Sequence, residues 1–209
     1  MVKLCKRCLM HTGIGGVTLD KDGVCNFCRF HEELEKEYPA IDRSTGTSDK
    51  LEKLVAAIKH HGRNKKYDCL MGISGGCDSS YMLHLIVKEF GLRPLVVHFD
   101  NGWNTEIAEH NMKVMIDSLK VDFLRYRINK EEFDNLNLAF LRASTTDADT
   151  PNDIAMLTFF METAEKNNIK YVFNGHDFRT EGTCPLSWTY MDGKYIQSVY
   201  SKFTGKTLR

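Results

Sequence analysis

The chain has 209 residues, and its 28 Lys and Arg residues balance its 28 Asp and Glu residues. This balance excludes the broad basic surface of a general nucleic-acid binder, so we expect no nucleic-acid partner. Hydrophobic residues make up 42% of the chain and charged residues 27%, which excludes wholesale disorder.

The N-terminus carries Lys3, Lys6 and Arg7, where a signal peptide would have its apolar stretch. No apolar run approaches the roughly 18 residues that a membrane span requires. We therefore expect a cytoplasmic protein with no membrane partner. In that reducing compartment, the seven cysteines are expected to be metal ligands or free thiols rather than disulfides.

Four of the cysteines form two Cys-x2-Cys pairs near the N-terminus, with sixteen residues between the pairs: Cys5, Cys8, Cys25 and Cys28. This spacing predicts a four-thiolate zinc site. Because the protein would fill all four ligand positions, we expect the zinc to be structural rather than catalytic. An iron–sulfur cluster held by the same thiolates is an alternative.

A polar stretch at residues 42–48 is typical of a linker, and beyond it helical and strand-like patterns alternate. Asp49 with Glu52 suggests a capping box for the first helix, and Gly62 suggests its end. The predicted strands lie at residues 67–73, 95–99, 123–128 and 171–174, and the predicted helices at residues 49–62, 79–90, 106–119, 131–141 and 152–166.

This alternation predicts an α/β domain: a Rossmann-like parallel sheet with helices on both faces, preceded by the small zinc ribbon. We assign the ribbon and linker to residues 1–45 and the α/β domain to residues 46–209. Ligands of parallel sheets bind beyond the carboxyl ends of the strands. This rule points to three loops, at residues 74–80, 100–105 and 175–182.

The loop at residues 74–80 follows a strand, opens a helix and lacks the lysine of a Walker A loop. Its glycines allow backbone N–H groups to approach an anion, and its serine hydroxyls and the helix N-terminus favour negative charge. Asp78 fits such a site if it carries a magnesium ion that bridges phosphates. The predicted binding residues are Ser74, Gly75, Gly76, Asp78, Ser79 and Ser80.

The motif Ser-Gly-Gly-x-Asp-Ser at residues 74–79 resembles the PP-loop of the ATP pyrophosphatase superfamily, whose fold is adenine nucleotide alpha hydrolase-like. NAD synthetase, GMP synthetase and tRNA-thiolating enzymes belong to that superfamily. They cleave ATP between the α- and β-phosphates, adenylate a carbonyl oxygen and let a nitrogen or sulfur nucleophile displace AMP. The resemblance implies ATP and Mg²⁺ as cofactors, with Asp78 as a catalytic metal ligand.

The resemblance also places adenosine beside Asp100, Asn101 and Gly102, which follow the second strand. A plain turn at these three residues is the alternative.

A later strand is followed by Gly175, which the resemblance assigns to ATP binding. In the same loop Glu181 would help to hold magnesium, and His176 and Arg179 would stabilise phosphate charge. A structural histidine at position 176 and a solvated surface pair of Arg179 with Glu181 are the alternatives.

The cysteine pairs, the PP-loop and the segments 97–103, 174–182 and 188–196 together resemble the N-acetyl sugar amidotransferases of bacterial surface-polysaccharide synthesis, lipopolysaccharide included. That family converts an acetamido group of a nucleotide-activated sugar to an acetamidino group. The resemblance implies a nucleotide-sugar substrate and two ammonia-supplying partners, a glutaminase and a cyclase-like channel subunit. A second copy of the chain is a further candidate partner.

A long polar connection at residues 143–153 opens a helix, and we expect Asn152 and Asp153 to face the sugar, with a simple surface loop as the alternative. Family members continue beyond residue 209, so we expect the C-terminal part of the ATP-binding domain to be absent. Two other functions stay open: a PP-loop tRNA sulfurtransferase, and a nucleotide-binding module without catalysis.

Overall fold

A computed structural model describes residues 1–39 and 48–208. The chain forms two compact units, one from residues 1–39 with His176–Met191 and the other from residues 48–175 with 192–208. The segment His176–Met191, which the sequence analysis assigned to the α/β domain, thus groups with the cysteine-rich unit. Of the predicted linker, residues 42–47 lie outside the described residues.

The larger unit is built on a four-stranded parallel sheet in the order β3-β2-β1-β4. Its strands are β1 (Cys69–Gly72), β2 (Pro94–Asp100), β3 (Asp122–Arg127) and β4 (Val172–Phe173). In the register, Met71 of β1 lies beside Val96 of β2 and Phe173 of β4. The predicted α/β fold with a parallel sheet is therefore confirmed.

The helices of the described residues are α1 (Asn26–Glu37), α2 (Asp49–Gly62), α3 (Cys77–His84), α4 (Glu106–Leu119), α5 (Lys130–Ala143), α6 (Thr150–Lys166), α7 (Phe178–Glu181) and α8 (Gly193–Thr204). A π-helical stretch, Leu85–Glu89, continues α3, and a short 3-10 helix lies at Leu186–Trp188. None of the helices in the described ranges has both the length and the apolar character that a membrane span requires.

Helices cover both faces of the sheet because successive strand residues point to opposite sides. Met71 and Val96 point towards the apolar sides of α2, α3 and α4. Leu70 and Val97 point the other way and pack with Phe160 of α6. Every residue of β2 is buried, as expected for a strand with neighbours on both edges.

Three helix details differ from the sequence prediction. The cap of α2 is Ser48 rather than Asp49, because the Ser48 hydroxyl accepts from the Leu51 N–H. The predicted helix at residues 79–90 begins at Cys77 and ends in the π-helical stretch.

The third difference is helix α8, which the sequence analysis did not predict. Asp192 caps its N-terminus through a carboxylate that accepts from the Tyr195 N–H, and Gly205, with a φ of +70°, follows its last residue. Its buried face packs against α5 through Ile196 and Val199, and this contact gives the helix its stability in the fold.

The smaller unit has a core of Cys5, Val17 and Cys25. Cys25 caps α1 through a contact of its sulfur with the Cys28 N–H. The Thr183 hydroxyl donates to the Phe27 carbonyl at 3.0 Å, so the two chain segments of this unit are in direct contact.

The packing of β1 against α6 predicts the effect of a single methyl group. A Cβ atom at Gly72 would lie 2.4 Å from Cζ of Phe160, whereas a Cβ at Gly193 would meet nothing within 4 Å. We expect Gly72→Ala to lower the free energy of unfolding by about 1–3 kcal/mol and Gly193→Ala to change it by less than about 0.5 kcal/mol. Urea unfolding measures both, and equal effects of the two substitutions would show that this contact does not constrain the core.

Candidate functional site

The loop at residues 74–76 lies at the point where the strand order of the sheet reverses. The chain passes from β1 to β2 and β3 on one side and then crosses to β4 on the other side of β1. At such a switch point the loops leave the two neighbouring strands in opposite directions, and a crevice opens beyond their carboxyl ends. Ser74 follows β1 and Gly175 follows β4, so both predicted binding residues lie at this edge of the sheet.

Gly75 makes the closest backbone approach in the loop. Its φ is +76°, and a Cβ atom here would lie 2.3 Å from the carbonyl oxygen of Ala108 in α4. A side chain at this position would therefore have to push α4 away, in a backbone conformation that favours glycine. The Asn111 amide of α4 donates to the Gly75 carbonyl at 3.0 Å and fixes the contact.

The N-terminus of α3 lies at the loop, where the Gly76 N–H donates to the Ser74 hydroxyl at 3.4 Å. Gly76 precedes the helix, and no side chain of the described residues caps it. The hydroxyls of Ser74 and Ser79 lie 3.1 Å apart, and the Ser79 hydroxyl accepts from the Ser74 N–H. These groups and the positive end of the helix dipole form a site whose chemistry suits a phosphate.

Asp78 and Ser80 lie in the first turn of α3. The Asp78 side chain is exposed, and within the described part of the chain no hydrogen bond or ion pair engages its carboxylate. A free carboxylate next to a phosphate site offers the hard oxygen ligands that Mg²⁺ prefers. Asp78 therefore fits the predicted role of a magnesium ligand.

Asp100 is buried and already engaged. Its carboxylate accepts from the Gly102 N–H at 3.0 Å and from Arg127 Nε at 3.0 Å. Burial raises the pKa of this carboxyl, but the hydrogen bonds from Arg127 and Gly102 and the charges of Arg127 and Arg125 together outweigh burial, so the pKa lies below its ordinary value. The side chain thus orders the turn after β2, so any adenosine contact here would fall to other atoms of the turn.

Asn101 links that turn to the start of α6. Its amide nitrogen donates to Asn152 Oδ1 at 3.0 Å, and its amide oxygen accepts from the Trp103 N–H at 3.0 Å. The structure thus brings the predicted nucleotide residue Asn101 and the predicted sugar residue Asn152 together. Asp153 follows in the first turn of the same helix.

The other predicted catalytic residues belong to the smaller unit. His176 Nδ1 donates to a Glu181 carboxylate oxygen at 2.9 Å. Arg179 pairs with Glu35 at 3.2 Å and donates to the Tyr38 carbonyl, so its partner is not Glu181. The Glu35 contact spans 144 positions of sequence, and no local pattern could have revealed it.

The four N-terminal cysteines form the predicted cluster. Cys5 Sγ lies 3.9 Å from Cys28 Sγ, and Cys8 Sγ lies 3.6 Å from Cys25 Sγ. All four sulfurs lie within 4.8 Å of one another. A tetrahedral ion with bonds of about 2.3 Å places its sulfurs about 3.8 Å apart, so the site fits one zinc ion.

Backbone hydrogen bonds favour the thiolate form at one of these sulfurs, that of Cys5. The N–H groups of Arg7 and Cys25 point at Cys5 Sγ, at 3.4 and 3.2 Å. Burial raises the pKa of Cys5, but the hydrogen bonds from the Arg7, Cys8 and Cys25 backbones and from the Cys8 side chain together outweigh burial, so the pKa falls to about 6 and the thiolate is favoured. An iron–sulfur cluster divides its thiolates among several iron ions and would need them further apart, so the geometry favours a single ion.

The cysteine cluster predicts a metal content of about one zinc ion per chain. We expect Cys25→Ser to remove that zinc, because the sulfur ligand is lost from a closed site, and Cys184→Ser to keep it, because Cys184 is exposed and outside the cluster. Elemental analysis of purified protein measures both variants. Equal zinc in the two, or iron in the wild-type protein, would contradict the assignment.

No protein-family model matches the chain, and no curated protein matches it. Among solved structures, it is similar to NMN synthetase from Francisella tularensis at 14% identity, with a TM-score of 0.40 over 78% of this chain and 89% of that one. It is also similar to glutamine-dependent NAD+ synthetase from Acinetobacter baumannii, in complex with ADP, at 13% identity and a TM-score of 0.47. That match covers 88% of this chain and 36% of the synthetase.

Proposed function

We propose that the protein is an ATP-dependent, AMP-forming amidotransferase that converts an acetamido group of a nucleotide-activated sugar to an acetamidino group. The observation that carries this proposal is the loop at residues 74–76. Its backbone amides, the uncapped N-terminus of α3 and the free carboxylate of Asp78 meet at the switch point of a parallel sheet. The choice of a sugar substrate rests on the motif resemblance described above.

The chemistry requires no side-chain nucleophile. The acetamido oxygen attacks the α-phosphorus of ATP, and pyrophosphate leaves with the electron pair of the broken P–O bond. Ammonia then adds to the activated carbon, AMP departs with the former amide oxygen, and loss of a proton gives the amidine. Such a reaction needs reactants held in line and developing phosphate charge stabilised.

The loop residues supply that stabilisation. The backbone N–H groups around Gly75 and Gly76 and the hydroxyls of Ser74, Ser79 and Ser80 would bind the phosphate oxygens. Asp78 would hold Mg²⁺, which neutralises phosphate charge when bound. The backbone at Gly75 is held in place by its contacts with Ala108 and Asn111 of α4.

The remaining roles are extensions of the same proposal. Glu181 would be a second magnesium ligand, with His176 fixed by its hydrogen bond to that carboxylate. Arg179 would add positive charge while it stays paired with Glu35. Asn152 and Asp153 would bind the sugar, and Asn101 supports this role because it orients the Asn152 amide.

The ammonia source would be a separate glutaminase that acts through a cyclase-like channel subunit. A second copy of the chain is a further candidate partner. Both follow from the family resemblance.

The decisive experiment is product analysis. Protein incubated with ATP, Mg²⁺, ammonium and UDP-diacetamido sugars should form AMP and a sugar product lighter by about one mass unit, which mass spectrometry detects. Nucleotide binding without AMP release would favour a non-catalytic module. AMP release that depends on tRNA and a sulfur donor would favour a sulfurtransferase.

The magnesium role of Asp78 can be tested by substitution. We expect Asp78→Ala to lower AMP formation by about 100-fold or more, because the phosphate charge loses its metal, while the unfolding midpoint stays the same, because the side chain is exposed. Glu165→Ala, on the exposed surface of α6, is the control and should keep full activity. Undiminished AMP formation in the Asp78 variant would contradict the role.

A further inference from the structure

A buried histidine lies next to the strand that leads into the phosphate loop. His98, in β2, is 5% exposed, and its Nδ1 lies 2.7 Å from the carbonyl oxygen of Ile73. Ile73 is the residue immediately before Ser74. The carbonyl can only accept a hydrogen bond, so Nδ1 carries a proton and donates it.

The other ring nitrogen of His98 faces an amide. Nε2 lies 2.8 Å from Asn104 Nδ2, and the same amide nitrogen lies 2.7 Å from Glu109 Oε1. The Glu109 carboxylate only accepts, so the Asn104 NH2 group must point towards it, and its second hydrogen is left for His98. Nε2 therefore accepts a bond, and every proton in this chain of contacts is assigned.

The chain of contacts returns to the phosphate loop through α4. Arg125 of β3 donates to both oxygens of Glu109 and fixes that side chain. Glu109 is next to Ala108, whose carbonyl oxygen abuts Gly75. His98 thus reaches the phosphate loop by two routes, directly through Ile73 and indirectly through Asn104 and α4.

We propose that His98 is a positioning residue for the phosphate loop, which it holds at a fixed distance from α4 by bridging the Ile73 carbonyl and the Asn104 amide. The proposal rests on the proposed function, because the ligand of the loop is taken to be ATP. His98 contacts no substrate in this role, and it acts through the backbone that follows Ile73.

Protonation of His98 would break the bridge. Nε2 would then carry a hydrogen facing the Asn104 NH2 group, where two donors meet and no acceptor is left. The charged groups around the ring are Asp100 of β2, Glu109 of α4 and Arg125 of β3. Burial lowers the pKa of His98 from its ordinary value of 6.5, so the bridge is intact at neutral pH and is lost as the pH falls below 6.5, through the pKa of the buried ring.

Two substitutions of His98 distinguish its bond to the Ile73 carbonyl from its bond to the Asn104 amide. His98→Asn keeps an amide near the position of Nδ1 but cannot reach Asn104, whereas His98→Gln places an amide near the position of Nε2. Neither amide titrates. We expect His98→Asn to raise the dissociation constant of ATP about tenfold near pH 8 and His98→Gln to restore part of that loss. His60→Asn, on the exposed surface of α2, is the control and should bind ATP like the wild type.

The pH dependence distinguishes positioning from general stability. Calorimetric titration gives the dissociation constants of ATP for the His98→Asn variant and for the wild type. Protonation of ATP changes both constants by the same factor, so it cancels in their ratio. The ratio should fall from about ten near pH 8 towards one as the pH is lowered through the pKa of the buried His98 ring, because the wild type loses the same bond by protonation. A ratio of one at pH 8, or a ratio that does not change with pH, would overturn the proposal.

A double-mutant cycle of His98→Asn with Asn104→Ala shows whether the loss of ATP affinity arises from the contact between the two side chains. If His98 acts through Asn104, the double variant should bind ATP no more weakly than the worse of the two single variants. Fully additive losses would overturn the proposed route.

Hydrogen exchange of the ligand-free protein tests the positioning without ATP. We expect the amides of residues 74–77 to exchange about tenfold faster in His98→Asn than in the wild type or His60→Asn. A wild-type protein that binds no ATP but shows this difference would overturn the proposed function and leave the role of His98 standing. Exchange that is identical in all three proteins would overturn the role of His98.

Discussion

The close contact between Gly75 and the Ala108 carbonyl is the constraint on which the candidate site depends. It allows α4 to approach the loop so closely that a single Cβ atom would separate them. With α4 in that place, Asn111 can bond to the loop, and the N-terminus of α3 stays open towards the crevice. An anion site of this kind is made of backbone, so it requires exact placement of main-chain atoms more than any particular charged side chain.

Around that contact, the polar groups of the sheet edge form one connected system. Asp100, buried at the end of β2, is neutralised by Arg127 and bonded to the turn that follows it. Asn101 extends the system to α6. Within the described ranges, no buried side-chain nitrogen or oxygen lacks a hydrogen-bond partner. A fully satisfied polar network is rigid, which suits loops that must hold reacting groups in line.

Much of the architecture could be predicted because the apolar residues of its strands and helices recur at regular spacings along the sequence. The alternation of apolar strands with amphipathic helices predicted the parallel sheet, and the Cys-x2-Cys spacing predicted the cluster around Cys5. Helix α8 also carried a signal, since Ile196, Val199 and Tyr200 follow helical spacing, but its stability comes from packing against α5. The pairing of Asn101 with Asn152 and the bridge at His98 join residues far apart in sequence, so only the folded chain reveals them.

The smaller unit is assembled from distant parts of the chain, and this has a consequence for its synthesis on the ribosome. The four cysteines emerge before residues 176–191, so the metal that they are predicted to bind would be captured before that segment is made. The segment that supplies Thr183, whose hydroxyl bonds to Phe27, emerges some 150 residues later. Until then the Phe27 carbonyl lacks this hydrogen bond, and the His31 ring of α1 lacks its contact with the Phe178 ring. Until residues 176–191 emerge, the nascent ribbon would therefore lack part of its own unit and would be open to chaperones or premature association.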